Sequence, residues 1–183
     1  MIRRKGNYAF IDSQNLNVSV QKYGWKMDWR KFRAFLADTY GVSKAYMFIG
    51  YVPEFEDIYE KMHEAGYAVV LKPTFDMTKP QPEERTHKNG EEKKVKGNID
   101  ADMVLWTMKE MKNYEKAILV SGDGDFFGLA EYLKQENKLL KILTPTGQYS
   151  SLFRQFESDI ERLDHHRSEL AYKDRRFSRK PKQ

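Results

Sequence analysis

The sequence predicts an α/β domain with three layers, in which a parallel sheet carries helices on both faces. Two observations support this prediction. Short apolar runs alternate along the chain with segments in which apolar residues recur at helical spacing. Glycine or proline follows several of these runs and helical segments and marks where they end. The chain has 183 residues, a length that suits one domain with its own core.

The apolar runs predict five strands, and we expect them over residues 8–11, 45–49, 67–71, 117–120 and 139–143. Residues 160–163 are compatible with either a short sixth strand or a helical turn. Helical spacing predicts four further elements, over residues 29–40, 55–65, 99–112 and 126–137, and a last helix that begins near Tyr149. Asp28 is the expected N-cap of the first of these helices, and Gly41 its expected end.

Two charged segments lie outside this pattern. Residues 74–97 are polar and without periodicity, so we expect a long charged loop, either functional or disordered. We divide the chain into a domain over residues 1–164 and a basic tail over residues 165–183. The tail holds seven basic and two acidic residues, a net charge equal to the +5 of the whole chain. It is either an arm for a polyanion or a solvated end.

Composition excludes several kinds of site. The chain has no cysteine, so disulfides and thiolate metal sites are excluded, and any bound metal must use oxygen or imidazole ligands. No apolar run approaches the roughly 20 residues of a membrane span. Residues 1–7 are basic but lack the apolar stretch of a signal peptide. We therefore expect a cytoplasmic protein without a membrane span.

Acidic residues follow two of the predicted strands. Asp12 ends the first strand, and the string from Ser121 to Phe126, which reads Ser-Gly-Asp-Gly-Asp-Phe, follows the fourth. Ligands bind at the carboxyl ends of the strands in open parallel sheets. Clustered carboxylates repel one another, and a hard cation such as Mg²⁺ relieves that repulsion. Asp12, Asp123 and Asp125 therefore form a candidate metal site, although each could also be a turn or capping residue.

A fourth acid is expected at the start of the helix over residues 99–112. Asn98 resembles its N-cap, and Asp100 and Asp102 lie in its first turn. Residues two positions apart are separated by about 200° around a helix, so the two carboxylates cannot both point into one site. Spacing alone does not choose between them, and either could simply complement the helix dipole. We expect the apolar face of this helix to consist of Ala101, Val104, Leu105, Met108 and Met111.

Three segments together resemble the motifs of NYN domains, and the LabA-like branch of that family is the most similar. These segments run from Phe10 to Leu16, from Lys96 to Asp100 and from Ser121 to Phe126, and the stretch from Leu139 into Leu152 is similar as well. The resemblance covers about residues 6 to 160. It implies a PIN-like, Rossmann-like sheet and metal-dependent RNA cleavage. It implies a catalytic site of Asp12, Asn15, Asp100, Asp123 and Asp125, and so favours Asp100 over Asp102.

The sequence departs from this resemblance in one place. Many NYN and PIN domains carry another acid about two turns into the helix that follows the Asp100 position, where this chain has Trp106 and Thr107. Either Asp102 or Asp125 compensates, or one metal position is weak.

The resulting expectation is an endoribonuclease that uses Mg²⁺ or Mn²⁺, held by Asp12, Asp100, Asp123 and Asp125, to activate water. Asn15 is expected to orient water or a phosphate oxygen, and the products should carry 5′-phosphate and 3′-hydroxyl ends. Single-stranded RNA is the expected partner, and self-association of the chain is a further arrangement that the sequence permits. The alternative is a catalytically weak PIN-like adaptor that binds RNA or protein. The residues expected to contact nucleic acid are basic: Lys93, Lys94, Lys96, Arg175 and Arg176.

Overall fold

A computed structural model of the chain describes residues 5–51, 55–73 and 99–173. Its six strands form one sheet in the order β3-β2-β1-β4-β5-β6, and every neighbouring pair is parallel. The strands are β1 (Asn7–Asp12), β2 (Val42–Tyr51), β3 (Tyr67–Pro73), β4 (Ala117–Val120), β5 (Leu139–Thr144) and β6 (Ile160–Arg162). The predicted parallel α/β sheet is confirmed, and residues 160–162 form a sixth strand.

The described residues also form six α-helices and three 3₁₀ segments. The helices are α1 (Ser13–Lys22), α2 (Trp29–Tyr40), α3 (Glu56–Glu64), α4 (Asp100–Lys109), α5 (Phe127–Gln135) and α6 (Arg167–Leu170). The 3₁₀ segments are Gly124–Phe126, Ser151–Asp159 and Leu163–His166. The predicted caps of α2 are confirmed. The Asp28 side chain accepts from the Lys31 N–H at 3.2 Å, and Gly41 ends the helix in the left-handed conformation with φ 63°.

Helix α1 was not predicted from the sequence. Its residues include serine, asparagine and two valines, which are weak helix formers. Only Leu16 and Val20 are buried, one turn apart, so the apolar stripe is narrow. The helix begins where the Asp12 side chain accepts from the Asn15 N–H. Packing on the sheet and this cap therefore outweigh a weak intrinsic preference.

The sheet separates two cores, as a three-layer arrangement requires. Alternate residues of a strand point to opposite faces, so Ala9 and Ile11 belong to one core and Phe10 to the other. Residues of α1, α2, α3 and α6 fill the first core. Residues of α4, α5 and the segment Ser151–Asp159 fill the second. Because helices cover both faces of the sheet, the carboxyl ends of the strands lie at an edge where the two helical layers come together.

The predicted apolar face of α4 is only partly confirmed: Val104 and Met111 pack against the second core, whereas Ala101, Leu105 and Met108 are exposed. The residues that α4 and its N-cap bury are Ile99, Met103 and Thr107, whereas Leu105 is 61% exposed and Met108 is 37% exposed. Apolar residues occupy most positions of this helix, so periodicity could not select one face. Thr107 is polar and lies outside the predicted face, yet it is buried, and its hydroxyl donates to the Met103 carbonyl oxygen at 2.7 Å. A buried hydroxyl with a hydrogen-bond partner costs little.

Packed residues continue beyond the expected domain boundary at Asp164. Leu170 of α6 is fully buried in the first core. The Asp28 N–H donates to the Leu170 carbonyl oxygen, and the Tyr172 N–H to the Lys26 carbonyl oxygen, both at 2.8 Å. The first part of the expected tail is therefore folded. Arg175 and Arg176 lie outside the described residues, as do Asn98 and the expected loop.

Among the described residues, no helix has both the length and the apolar character that crossing a membrane demands.

Candidate functional site

Parallel pairing brings the ends of β1 and β4 together. Ile11 pairs with Val120, so the next residues, Asp12 and Ser121, meet at the carboxyl edge of the sheet. The Ser121 hydroxyl donates to Asp12 Oδ2 at 3.2 Å. Asp12 is only 6% exposed and Ser121 is fully buried. The strand-end position predicted for Asp12 is therefore a buried one.

The Asp12 carboxylate also caps helix α1. Its Oδ1 accepts from the backbone N–H of Asn15 at 3.0 Å, the contact that a capping residue makes with the third helical residue. The two interpretations of Asp12, as a cap and as a member of an acidic cluster, therefore apply to the same side chain. Both oxygens are held by hydrogen bonds, so the carboxylate has a fixed orientation at the end of β1.

Burial raises the pKa of Asp12 from 3.8 to about 6. Loss of solvent is the largest cause, because a carboxylate charge is disfavoured away from water. The hydrogen bonds from Asn15 and Ser121 act in the opposite direction, and the negative charges of Asp100 and Asp123 raise the pKa further. Asp12 therefore shares its surroundings with acids from two other elements.

The two acids of α4 have different partners. Asp102 pairs with Lys72 at the end of β3, with 2.9 Å between the Lys72 ammonium and Asp102 Oδ2. Asp100 is the α4 acid whose charge raises the pKa of Asp12. The two side chains are about 200° apart around the helix. The arrangement supports Asp100 as the acid that faces Asp12 and gives Asp102 an ion-pair partner of its own.

Asp123 caps the 3₁₀ turn that follows β4. Its Oδ1 accepts from the Asp125 N–H at 3.1 Å, and its own N–H donates to the Ser121 hydroxyl oxygen at 3.1 Å. Asp125 lies in this turn with an exposed side chain. A Cβ at Gly124 would lie 2.4 Å from Ser150 Oγ, so glycine is needed there for close packing of the chain.

Asn15 connects α1 to the turn after β4. Its side-chain oxygen accepts from the Gly122 N–H at 2.9 Å. This contact uses the amide oxygen and leaves the amide nitrogen as the group that could meet a phosphate or water. Asn15 therefore fixes the Gly122 backbone beside Asp123.

Ser121 was missed as a site residue by sequence reasoning. Its hydroxyl donates to Asp12 and accepts from the Asp123 N–H, so one buried atom connects the two strand-end acids. A signal existed in the sequence, because Ser121 is the first polar residue after a strand of four apolar residues. Recognising its partner required the register between β1 and β4.

The acid that the family resemblance places further along α4 is absent. Trp106 packs on Tyr46 with 5.3 Å between ring centroids, and Thr107 is buried in the second core. Neither side chain carries a carboxylate, and Asp102 is engaged with Lys72. The position at which many NYN and PIN domains carry an acid is therefore occupied here by packed side chains without a charge.

The acidic cluster fits a hard divalent cation in its chemistry but is not a preformed cage. All its donors are carboxylate oxygens, which Mg²⁺ prefers. Over the three described ranges, no three Asp, Glu or His side chains are arranged to hold a metal ion. Asp12, Asp100 and Asp123 are close enough for their charges to interact. Like charges at this separation repel one another, and a bound cation would remove that repulsion.

The basic residues expected to bind nucleic acid are untested by the structure. Lys93, Lys94 and Lys96 lie in the segment 74–98, and Arg175 and Arg176 in the segment 174–183, both outside the described residues.

The fold and the acids at its strand ends define a PIN-like α/β protein. The family model of the NYN domain matches residues 8–162, so the chain belongs to the NYN domain family. The chain is 25% identical over 149 residues to the "Low amplitude and bright protein LabA" of Synechococcus elongatus, covering 79% of this chain and 76% of that protein. The match supports the predicted relation to LabA.

The fold also matches a crystal structure of a Vibrio parahaemolyticus protein of unknown function. The TM-score is 0.70 at 20% identity, and the match covers 94% of this chain and 99% of that one. At this identity the likeness concerns the fold.

Proposed function

We propose that this chain is a metal-dependent endoribonuclease that hydrolyses phosphodiester bonds of RNA at the carboxyl ends of β1 and β4. The burial of Asp12 beside the charges of Asp100 and Asp123 carries the proposal. A buried carboxylate next to other acids destabilises the folded chain, and such a cost is typical of residues kept for a function. Membership of the NYN family supports the same class of reaction.

The residues that would hold Mg²⁺ or Mn²⁺ are Asp12, Asp100 and Asp123, with the exposed Asp125 at the rim. When bound, a divalent cation neutralises phosphate charge and promotes the ionisation of water near neutral pH. The chain's own contribution is orientation. Asn15 and Ser121 fix both oxygens of Asp12, and the Asn15 amide oxygen fixes Gly122 next to Asp123.

The finer features of the proposal concern the substrate and the setting. We propose that single-stranded RNA is the substrate, that the products carry 5′-phosphate and 3′-hydroxyl ends, and that the protein acts in the cytoplasm. Lys93, Lys94, Lys96, Arg175 and Arg176 are proposed to contact the RNA backbone, because lysine and arginine neutralise phosphates. Self-association is compatible with each of these features.

The deciding experiment is cleavage of end-labelled single-stranded RNA by the purified full chain. We expect cleavage with Mg²⁺ or Mn²⁺, no cleavage with EDTA, and recovery when excess Mg²⁺ is restored. The 5′ ends of the products should be open to a 5′-phosphate-dependent exonuclease. Cleavage that persists in EDTA, or products with 2′,3′-cyclic phosphate ends, would contradict the proposal.

A second candidate is a regulatory adaptor that binds RNA or protein without cleaving. Two observations favour it: Trp106 and Thr107 stand where relatives carry an acid, and the described residues form no preformed metal cage. The same assay separates the two functions. RNA binding that is independent of Mg²⁺, without any cleavage, would support the adaptor.

Replacing Ser121 by alanine tests its role as a positioning residue. The Ser121 hydrogen bond lowers the pKa of Asp12, so its loss should move the rising limb of the pH profile of kcat/KM to higher pH. Because a hydrogen bond to a charged group contributes about 1.5–3 kcal/mol, we expect roughly a tenfold loss near pH 6 and recovery in alkaline buffer. Ser121→Thr should restore the wild-type profile. An equal loss at every pH would point to a purely structural role.

A further inference from the structure

An apolar cavity of about 510 Å³ lies beside the acidic cluster. Helices α1 and α3 form its sides, and Met47 and Ile49 of β2 form its floor. Its volume lies within the range of pockets that bind small molecules, about 300–1,000 Å³. Nothing in the proposed cleavage site accounts for it.

The cavity adjoins the proposed cleavage site through two residues that are neighbours of its acids in the chain. Ser13, which follows Asp12, and Ile99, which precedes Asp100, both line it. The Ser13 hydroxyl donates to the Phe48 carbonyl oxygen at 2.7 Å, which fixes the start of α1 against β2. A group in the cavity would therefore lie next to a phosphate held at Asp12 and Asp100.

The described residues of the lining are uncharged and largely aromatic or aliphatic. None of the described lining residues carries a charge, so the cavity suits neither a phosphate nor a charged peptide. Trp29, Phe55 and Tyr59 present ring surfaces, and Gln14 and Asn17 supply amide groups. In the part of the chain that the structure describes, the Gln14 amide makes no hydrogen bond. Aromatic faces with a few amides are the surroundings in which proteins bind nucleobases.

We propose that this cavity is a nucleobase subsite, which takes the base of the nucleotide adjoining the cleaved phosphodiester bond. The proposal rests on the proposed nuclease function for the position of the phosphate. A base can enter such a cavity only when it is unpaired and unstacked, so the subsite selects single-stranded RNA. The Gln14 and Asn17 amides would hydrogen-bond the edge of the base.

The probes are the four nucleoside 5′-monophosphates, with ribose 5-phosphate as the compound that lacks a base. None of them contains a phosphodiester bond, so binding is measured without cleavage. Calorimetric titration of the full chain in Mg²⁺ should show at least one nucleotide binding at least about tenfold more tightly than ribose 5-phosphate. Tryptophan fluorescence should fall on binding, because Trp29 lines the cavity, and Trp29→Phe should remove that change.

Phe55→Ala tests the cavity wall, with Tyr172→Ala as the matched control. Both aromatic side chains are well exposed, at 50% and 59%, so neither change threatens folding. Tyr172 is not part of the cavity lining. Loss of stacking on Phe55 should weaken nucleotide binding by between about fivefold and about a hundredfold. Binding by the Tyr172→Ala variant should stay at the wild-type level.

Two results would overturn the subsite. The first is equal affinity for the nucleotides and ribose 5-phosphate, and the second is unchanged nucleotide binding by Phe55→Ala. If a variant with unchanged nucleotide binding also changes its oligomeric state by light scattering, the cavity belongs to a protein partner. Failure of RNA cleavage alone would reject the nuclease and leave base-dependent binding standing. Normal cleavage without base-dependent binding would reject the subsite and leave the nuclease function standing.

Discussion

Asp12→Asn and Asp123→Asn should each abolish detectable RNA cleavage while leaving the fold intact. Each change removes one negative charge from the proposed cation site. Substituting a residue that hydrogen-bonds to a metal ligand typically lowers metal affinity or activity by roughly 10- to 100-fold. Substituting a ligand itself should therefore lower activity further. Asparagine preserves the shape of aspartate and can still cap α1. Initial cleavage rates with saturating Mg²⁺, together with circular dichroism, measure both parts of the prediction.

Helix α4 supplies a matched pair of variants, in which Asp100→Asn is the test and Asp102→Asn the control. Asp100→Asn should reduce cleavage strongly, because Asp100 interacts with Asp12. Asp102→Asn makes the same chemical change two residues away and breaks only the partly exposed ion pair with Lys72. Such pairs contribute at most about 1 kcal/mol to stability, so cleavage should remain close to wild type.

The ranking of these variants decides the site. Full activity in both Asp12→Asn and Asp123→Asn would place the chemistry elsewhere. A greater loss in Asp102→Asn than in Asp100→Asn would show that α4 presents its other acidic side to the substrate.

Asp12→Asn should also stabilise the metal-free protein at neutral pH. An aspartate has an ordinary pKa of 3.8, whereas the pKa of Asp12 in the folded chain is about 6. A difference of about two units corresponds to about 3 kcal/mol. Because asparagine carries no charge to bury, the free energy of unfolding in EDTA at pH 7.5 should rise by about 2–3 kcal/mol. For a chain of this size that is a Tm increase of roughly 5–10 °C.

The sign of the pH dependence follows from the raised pKa. Below the unfolded pKa of 3.8, Asp12 is protonated in both states and contributes no penalty. Between about pH 4 and pH 6 the folded state holds the proton more tightly, so wild-type stability falls as the pH rises. Above pH 6 the full penalty is present. The advantage of the variant should therefore be near zero at pH 4 and reach its maximum above pH 6.

Urea unfolding in EDTA at several pH values measures this difference. Asp38→Asn is the control, because Asp38 is an exposed acid on α2, and its effect should stay within about 0.5 kcal/mol at every pH. An advantage of Asp12→Asn that is absent at pH 7.5, or that does not vary with pH, would show that the Asp12 carboxylate is not destabilised in the folded chain. Adding Mg²⁺ should stabilise the wild type more than the variant, since ligands stabilise the state that binds them.

The strands and their carboxyl-end acids could be predicted because the responsible signals are local. Runs of four or five apolar residues bounded by glycine, proline or polar residues are typical of buried strands in a sheet covered on both faces, which located β1, β2, β3, β4 and β5. Asp12 ends the first of these strands, and Asp123 comes three residues after the end of the fourth. The strand-end rule for parallel sheets then indicated a shared edge, which the pairing of Ile11 with Val120 confirmed.

Helices with ambiguous surfaces could not be predicted in the same way. Helix α1 has a narrow apolar stripe and weak helix formers, so only its contacts with the sheet and the Asp12 cap reveal it. Helix α4 has apolar residues on most sides, and its buried face depends on where the sheet and Tyr114 lie. The burial of Thr107 depended on a hydrogen bond from its hydroxyl within the helix.

The sequence by itself determined the class of fold, the order of its strands along the chain and the residue types of the acidic cluster, because periodicity and strand ends are local properties. Tertiary structure alone decided which acids meet. The register of β1 against β4 joined Asp12 to Ser121, and the rotation of α4 directed Asp102 to Lys72. It also decided the burial that raises the pKa of Asp12 and the cavity between α1 and α3. Distances between residues far apart in sequence depend on packing, and no local pattern encodes them.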